Sequence, residues 1–131
     1  VEADEALACL AEADLETFLM RWAQTPILNL TASRPEVLHS KHLRRRENRG
    51  AGLADALRKL GPGKMPSLRP EDLTMPALFV AGALDTKYVA TAHELAKRAS
   101  NGTVAIVEAA GHAVHEDQPN AFIDLLKHHV R

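Results

Sequence analysis

The sequence predicts an α/β fold, and two apolar runs separated by one helix-length segment carry that prediction. Leu78-Phe79-Val80-Ala81-Gly82-Ala83-Leu84-Asp85 and Ile106-Val107-Glu108-Ala109-Ala110-Gly111-His112 are both strand-like, turn through small residues, and then deliver one polar side chain. Lys87 to Ser100 is long enough for the helix of a β-α-β unit, which is almost always a right-handed crossover between parallel strands. Strands running the same way release the residues that follow them on one rim of the sheet. With neighbouring backbones about 4.8 Å apart, Asp85 and His112 come within hydrogen-bonding reach. They do so where open parallel sheets bind ligands, outside the carboxyl ends of the strands. Both runs are continuously apolar rather than alternating, the pattern of strands covered on two faces.

Ahead of this unit the periodicity is helical. Leu7, Leu10, Ala11, Leu15, Phe18, Leu19 and Trp22 form one stripe over Ala3–Gln24. Asp14 is placed to cap a new helix within it, and Pro26 closes it. Asn29–Ser33 reads as a turn, with Ser33 as the cap of a helix from Pro35 to Asn48 that carries Val37, Leu38 and Leu43 on a thin apolar face. Gly50 and Gly52 are expected to interrupt it. Leu53, Ala54, Leu57 and Leu60 start another amphipathic helix, with Gly61 in the position of a C-terminal cap. Gly61 to Pro70 holds two Gly and three Pro, a connector that divides residues 1–65 from 66–131. Beyond it come a turn with Leu68 and Leu73, strand Ala77–Ala81, and helix Lys87–Ser100 with Tyr88, Ala92, Leu95 and Ala99 inward. An Asn101-Gly102 turn and strand Thr103–Val107 follow. Pro119 opens a last helix that should bury Phe122, Leu125 and Leu126.

Composition bounds the function. Of 131 residues, 46% are hydrophobic and 25% charged, with 16 Lys+Arg against 17 Asp+Glu for a net charge of −1. No global field therefore favours nucleic acid or an anionic membrane. Cys9 is the single cysteine and forms no internal disulfide. The acidic start lacks the basic and apolar regions of a signal peptide, and no run approaches the roughly 20 apolar residues of a membrane span. A soluble, cytoplasmic protein is expected. Two parallel strands do not make a stable sheet. The second half thus reads as the end of a larger doubly wound sheet, either a fragment or a chain that borrows strands from a partner.

An acid and then a histidine, each at a strand end, suit proton-transfer chemistry: the carboxylate orients the imidazole, and the imidazole carries the proton. The nucleophile of such a set belongs in a Gly-x-Ser-x-Gly turn, and Ser33, Ser40, Ser67 and Ser100 all lack the flanking glycines. The residues alone equally allow Asp85 as a loop carboxylate and His112 as a helix cap. His112 and His115 have helical spacing but no accompanying ligand cluster, so no metal is expected. Cys9 has no nearby base. Lys41, Arg44, Arg45, Arg46 and Arg49 read as a solvated basic face, and without interleaved aromatics they do not suggest nucleic-acid binding. Trp22, at the end of an apolar stripe, reads as core.

Gly82-Ala-Leu-Asp85-Thr-Lys-Tyr88, Ala110-Gly111-His112-Ala-Val-His115 and Gln118-Pro119-Asn-Ala-Phe122 together resemble the C-terminal part of α/β-hydrolase-fold enzymes. More narrowly they are similar to the 2-succinyl-6-hydroxy-2,4-cyclohexadiene-1-carboxylate synthases of menaquinone biosynthesis. Phe18-Leu-Met-Arg-Trp22-Ala-Gln24-Thr-Pro26 is similar to that family's lid helix, and Arg45-Arg-Glu-Asn-Arg-Gly50-Ala-Gly-Leu53-Ala to its second lid segment. The resemblance implies that residues 1–65 are a helical lid and residues 66–131 are the last two strands and helices of the core. It implies Asp85 and His112 as triad acid and base, Trp22 as a wall of the substrate pocket, and Arg45 as partner of a substrate carboxylate. The implied reaction eliminates pyruvate from a small carboxylate substrate without metal or organic cofactor. A missing N-terminal half or a second chain would supply the serine and further strands, leaving this polypeptide inactive alone. A carboxylesterase of the same fold and a non-catalytic, partner-dependent module are the alternatives.

Overall fold

The computed structural model describes residues 2–26, 35–61, 64–67 and 69–130. They fall into two compact units, one drawn from residues 1–25 and 35–67, the other chiefly from 68–131. The Asn29–Ser33 turn, the Ser33 cap and Leu68 lie outside the described residues.

The first unit is helical: α1 (Glu2–Ala13), α2 (Leu15–Ala23), α3 (Pro35–Arg46) and α4 (Gly50–Leu60). Asp14 breaks the first stripe into two helices. Its carboxylate accepts the Thr17 amide at 3.0 Å and the Thr17 hydroxyl at 2.6 Å, satisfying donors that a helix start leaves free. Ala11, Phe18 and Leu19 form the buried core, with Leu7, Leu10, Leu15, Trp22, Leu53 and Leu57 packed against it. Burying side chains the size of Phe18 and Leu19 stabilises the unit by about 1.5–3 kcal/mol each.

The break expected at Gly50 and Gly52 falls just ahead of them, between Arg46 and Gly50, and both glycines lie in the first turn of α4. A Cβ on Gly50 would sit 2.0 Å from the Ala11 carbonyl oxygen, so this glycine lets α4 approach the backbone of α1. Gly61 occupies the expected C-cap position of α4, with φ −59° and ψ 146°, an extended conformation. Helix α3 buries none of its residues, and Leu38 and Leu43 stand 49% and 50% exposed. Its last turn is closed by the Asn48 amide, which donates to the Arg44 and Arg45 carbonyls at 3.3 and 3.0 Å.

The second unit begins with a 3-10 turn at Pro70–Asp72 and continues as β1 (Ala77–Gly82), α5 (Thr86–Arg98), β2 (Gly102–Val107), α6 (Val114–Asp117) and α7 (Pro119–His129). The strands pair in parallel, with Ala77 opposite Gly102 and Gly82 opposite Val107. Helix α5 packs across both strands and buries Ala92 and Ala96, with Ala99 buried just beyond its end. Val107, Ala110 and Val114 make a second core cluster, against which Val80, Phe122 and Leu125 pack.

Three expectations need correction. Tyr88 is 40% exposed rather than inward, and Leu126 is 42% exposed, because α7 turns only Phe122 and Leu125 onto the cluster. The strands are covered on two faces only at Ala81, Gly82 and Val107; most of their other residues are half-buried. The described sheet has two strands, so the apolar character of β1 and β2 exceeds what these elements cover. No described helix is long and apolar enough to cross a membrane.

Candidate active site

The site is built from the two turns that leave the carboxyl ends of β1 and β2. After β1 the chain turns through Ala83 and Leu84, closed by the Asp85 amide donating to the Gly82 carbonyl at 2.9 Å. Asp85 caps α5, its Oδ1 accepting the Tyr88 amide at 3.3 Å. After β2 the chain turns through Ala109, which takes φ 53°. This left-handed conformation costs a residue with a Cβ about 1–2 kcal/mol, so surrounding contacts must hold it.

Those contacts are mostly backbone. The Ala83 amide donates to the Val107 carbonyl and the Leu84 amide to the Ala110 carbonyl, both at 2.9 Å. A Cβ on Gly82 would fall 2.2 Å from the Gly111 oxygen and 2.3 Å from the Ala110 oxygen. Only a glycine allows the two turns to lie this close. From the other side, Oδ2 of Asp117 accepts the Gly111 amide at 2.7 Å, and Nε2 of Gln118 donates to the Ala109 carbonyl at 3.2 Å.

The result is a pair. Oδ2 of Asp85 lies 2.8 Å from Nδ1 of His112. Asp85 is 1% exposed, whereas the imidazole is 36% exposed. The Tyr88 ring stands edge-on to the imidazole, with centroids 4.9 Å apart. An ionised carboxylate can only accept, so Nδ1 carries the hydrogen and the lone pair of the neutral ring is at Nε2. Nε2 has no partner among the described residues. Both oxygens of Asp85 are bonded, and no described buried side-chain polar atom lacks a partner. Asp85 is therefore a helix cap as well as the partner of His112, while the cap position of α6 belongs to Ala113 rather than His112. A buried acid, an oriented imidazole and an open nitrogen can accept and return a proton.

Trp22 and Arg45 meet within the helical unit, at a cavity of about 310 Å³ lined also by Phe18, Asn48, Leu53 and Leu57. Trp22 stacks on Phe18 with centroids 5.7 Å apart, so it belongs both to the core and to the cavity wall. Arg45 is half-buried, and its guanidinium has no anionic partner among the described residues. By contrast, Arg46 reaches Glu16 at 3.8 Å and Arg58 grips Glu5 and Glu12 at 2.8 and 2.7 Å. A cation without an anionic partner among the described residues, beside an apolar hollow, suits an anionic ligand. His115 packs its ring against Phe122, and no group of three or more metal-ligating side chains converges among the described residues. Sequence reasoning did not single out Asp117 and gave Tyr88 and Gln118 no part in the site. Gln118 stood in the Gln118-Pro119 motif without a role, and Asp117 was marked only by its place between His112 and that motif.

No family model matches the sequence. The chain is 33% identical over 111 residues to a protein of Bacillus subtilis (strain 168) named as a 2-succinyl-6-hydroxy-2,4-cyclohexadiene-1-carboxylate synthase, a match covering 82% of this chain and 40% of that protein. It is 30% identical over 120 residues to the synthase of the same name from Salmonella arizonae, covering 89% of this chain and 44% of the relative. The solved structure of MenH from S. aureus superimposes with a TM-score of 0.91 at 28% identity, covering 98% of this chain and 50% of that one. The chain thus spans about two-fifths of the length of the curated relatives it matches. The chain is thus a homologue of proteins named as 2-succinyl-6-hydroxy-2,4-cyclohexadiene-1-carboxylate synthases and carries a part of the α/β-hydrolase fold.

Proposed function

We propose that this chain supplies the acid–base pair and the substrate-facing lid of a synthase that eliminates pyruvate from a succinyl-cyclohexene carboxylate in menaquinone biosynthesis. The observation that carries the reading is the 2.8 Å contact between buried Asp85 and the half-open His112, held at the strand ends of a chain similar to such synthases. In the elimination a ring C–H bond breaks and its electron pair forms a ring C=C bond, while the ring C–O bond breaks and its pair leaves with the oxygen as the enolate of pyruvate, which takes up a proton to give pyruvate. His112 carries the proton through Nε2, and Asp85 holds the tautomer that leaves Nε2 available. Residues 1–65 serve as the lid. There Arg45 clamps a substrate carboxylate with its planar, bidentate donors, and Trp22 forms the pocket wall. The serine and its oxyanion-stabilising amides come from polypeptide outside these residues, and the protein works in the cytoplasm.

Pyruvate release by the full-length polypeptide, coupled to NADH oxidation by lactate dehydrogenase, tests this reading. Release is expected from the parent and not from His112→Gln, and the 131-residue chain alone is expected to release none. Turnover of p-nitrophenyl esters without pyruvate release would instead identify an acyl hydrolase on the same fold.

A further inference from the structure

We infer that Asp117 and Gln118 are positioning residues that set the imidazole of His112 against Asp85. The chain reaches His112 through Ala109 at φ 53°, a conformation that persists only where neighbours over-determine it. The β1 turn fixes one side of this segment through the Val107 and Ala110 carbonyls. Two further polar groups of the segment are held by side chains: the Ala109 carbonyl, and the amide of Gly111, the residue directly before the histidine. Gln118 takes the first at 3.2 Å and Asp117 the second at 2.7 Å.

Both side chains fold back from a fixed base. The Asp117 amide donates to Ala113 at 3.0 Å and the Gln118 amide to Val114 at 2.8 Å, while the Gln118 carbonyl receives the Phe122 amide at 3.0 Å. Val114 is buried in the cluster with Val107 and Ala110, so the base is tied to the strand end that it braces. The Asp117 bond is short and charge-assisted, which makes it stronger than a neutral one. Rotation of the Ala110–Gly111 or Gly111–His112 peptide would swing the imidazole away from Asp85, and this bond opposes that rotation. Asp117 acts through His112; nothing assigns it to the reacting atoms.

The inference rests on the proposed role of His112, and two readouts on the full-length polypeptide separate the claims. The first is the proton resonance of the His112 Nδ1–H, which a carboxylate partner shifts downfield. The second is the division of pyruvate release between kcat and KM. Asp117→Ala is expected to broaden or move the resonance and to lower kcat by about 10- to 100-fold with KM unchanged, as small misplacements of a reacting group do. Asp117→Asn keeps an acceptor oxygen and should restore both most of the way. Thermal unfolding is followed in parallel. Gln118→Ala, which leaves Asp117 in place, gives the same readout in a milder form should Asp117→Ala not fold. A resonance unmoved in the variants that fold overturns the inference, as does a kcat loss that Asp117→Asn does not restore. If the parent releases no pyruvate, the proposed activity fails while the resonance still decides whether Asp117 positions the ring.

Discussion

Gly82→Ala is the most direct test of how the Asp–His pair is held. The added methyl would lie 2.2 Å from the Gly111 oxygen and 2.3 Å from the Ala110 oxygen. Both are backbone atoms, so no rotamer change relieves the clash. The two turns must part by about 1 Å before carbon and oxygen reach ordinary contact. Overpacking of this kind costs about 1–3 kcal/mol in stability. The consequence for chemistry is larger. Asp85 lies three residues beyond Gly82, and His112 one residue beyond Gly111, so much of the separation passes into their 2.8 Å contact. A hydrogen bond stretched to about 3.6 Å is no longer one. A reacting group displaced by about 1 Å can lose about 100-fold in rate. Gly82→Ala should therefore melt a few degrees lower, lose the downfield Nδ1–H resonance of His112, and release pyruvate about 100-fold more slowly. A variant with parental kcat and an unmoved resonance would refute the claim that the closeness of the two turns sets the pair.

Asp85→Asn keeps the shape of the cap but not the preference for an Nδ1–H tautomer, and should lower kcat by about four orders of magnitude with KM little changed; equal kcat values would remove Asp85 from the mechanism. Arg45→Ala should raise KM by about 10- to 100-fold, the scale of a hydrogen bond to a charged group, and Arg45→Lys should recover it only in part because the bidentate geometry is lost. An unchanged KM in both would leave Arg45 as a surface cation. The Arg58 guanidinium holds the Glu5 and Glu12 carboxyls below their ordinary value of 4.5 by hydrogen bonding. A depressed folded-state value contributes stability above about pH 4.5 that is lost as pH falls through the folded values. The melting temperature of the parent should thus fall more steeply below pH 4.5 than that of Arg58→Met, and parallel slopes would count against the Arg58 clamp between α1 and α4.

The fold class and the meeting of Asp85 with His112 were legible in the sequence because both follow from connectivity. Two apolar runs and one helix leave a single common arrangement, and that arrangement places the residues after both strands on one rim. The Asp14 break was legible because a capping carboxylate acts on an amide only three residues away. What could not be read depends on contacts between distant segments. Gly50 looked like a helix breaker because its reason lies in Ala11, and the reason for Gly82 lies in Ala110 and Gly111. Tyr88 fell on the apolar stripe of α5 by periodicity, yet its ring stands against His112. Asp117 resembled any acidic residue near a helix end until its bond to the Gly111 amide was seen.

The pair also differs from the sheet that carries it in what it needs. β1 and β2 are only half-covered by the described elements, and a two-stranded sheet is marginal by itself. The contacts that fix His112 against Asp85, in contrast, all lie between Gly82 and Gln118: the Ala83 and Leu84 amides, the close approach at Gly82, and the Asp117 and Gln118 side chains. Geometry and stability are thus separable within this unit. Strands added beside β1 or β2 would raise its stability by covering apolar surface, but would not be required to align the carboxylate and the imidazole. A full-length protein destabilised by a mutation in another strand should then lose active molecules in proportion to the unfolded fraction, while those still folded keep the parental kcat and the same Nδ1–H resonance. A graded drift of that resonance with falling stability would show instead that the alignment is imposed by the whole sheet.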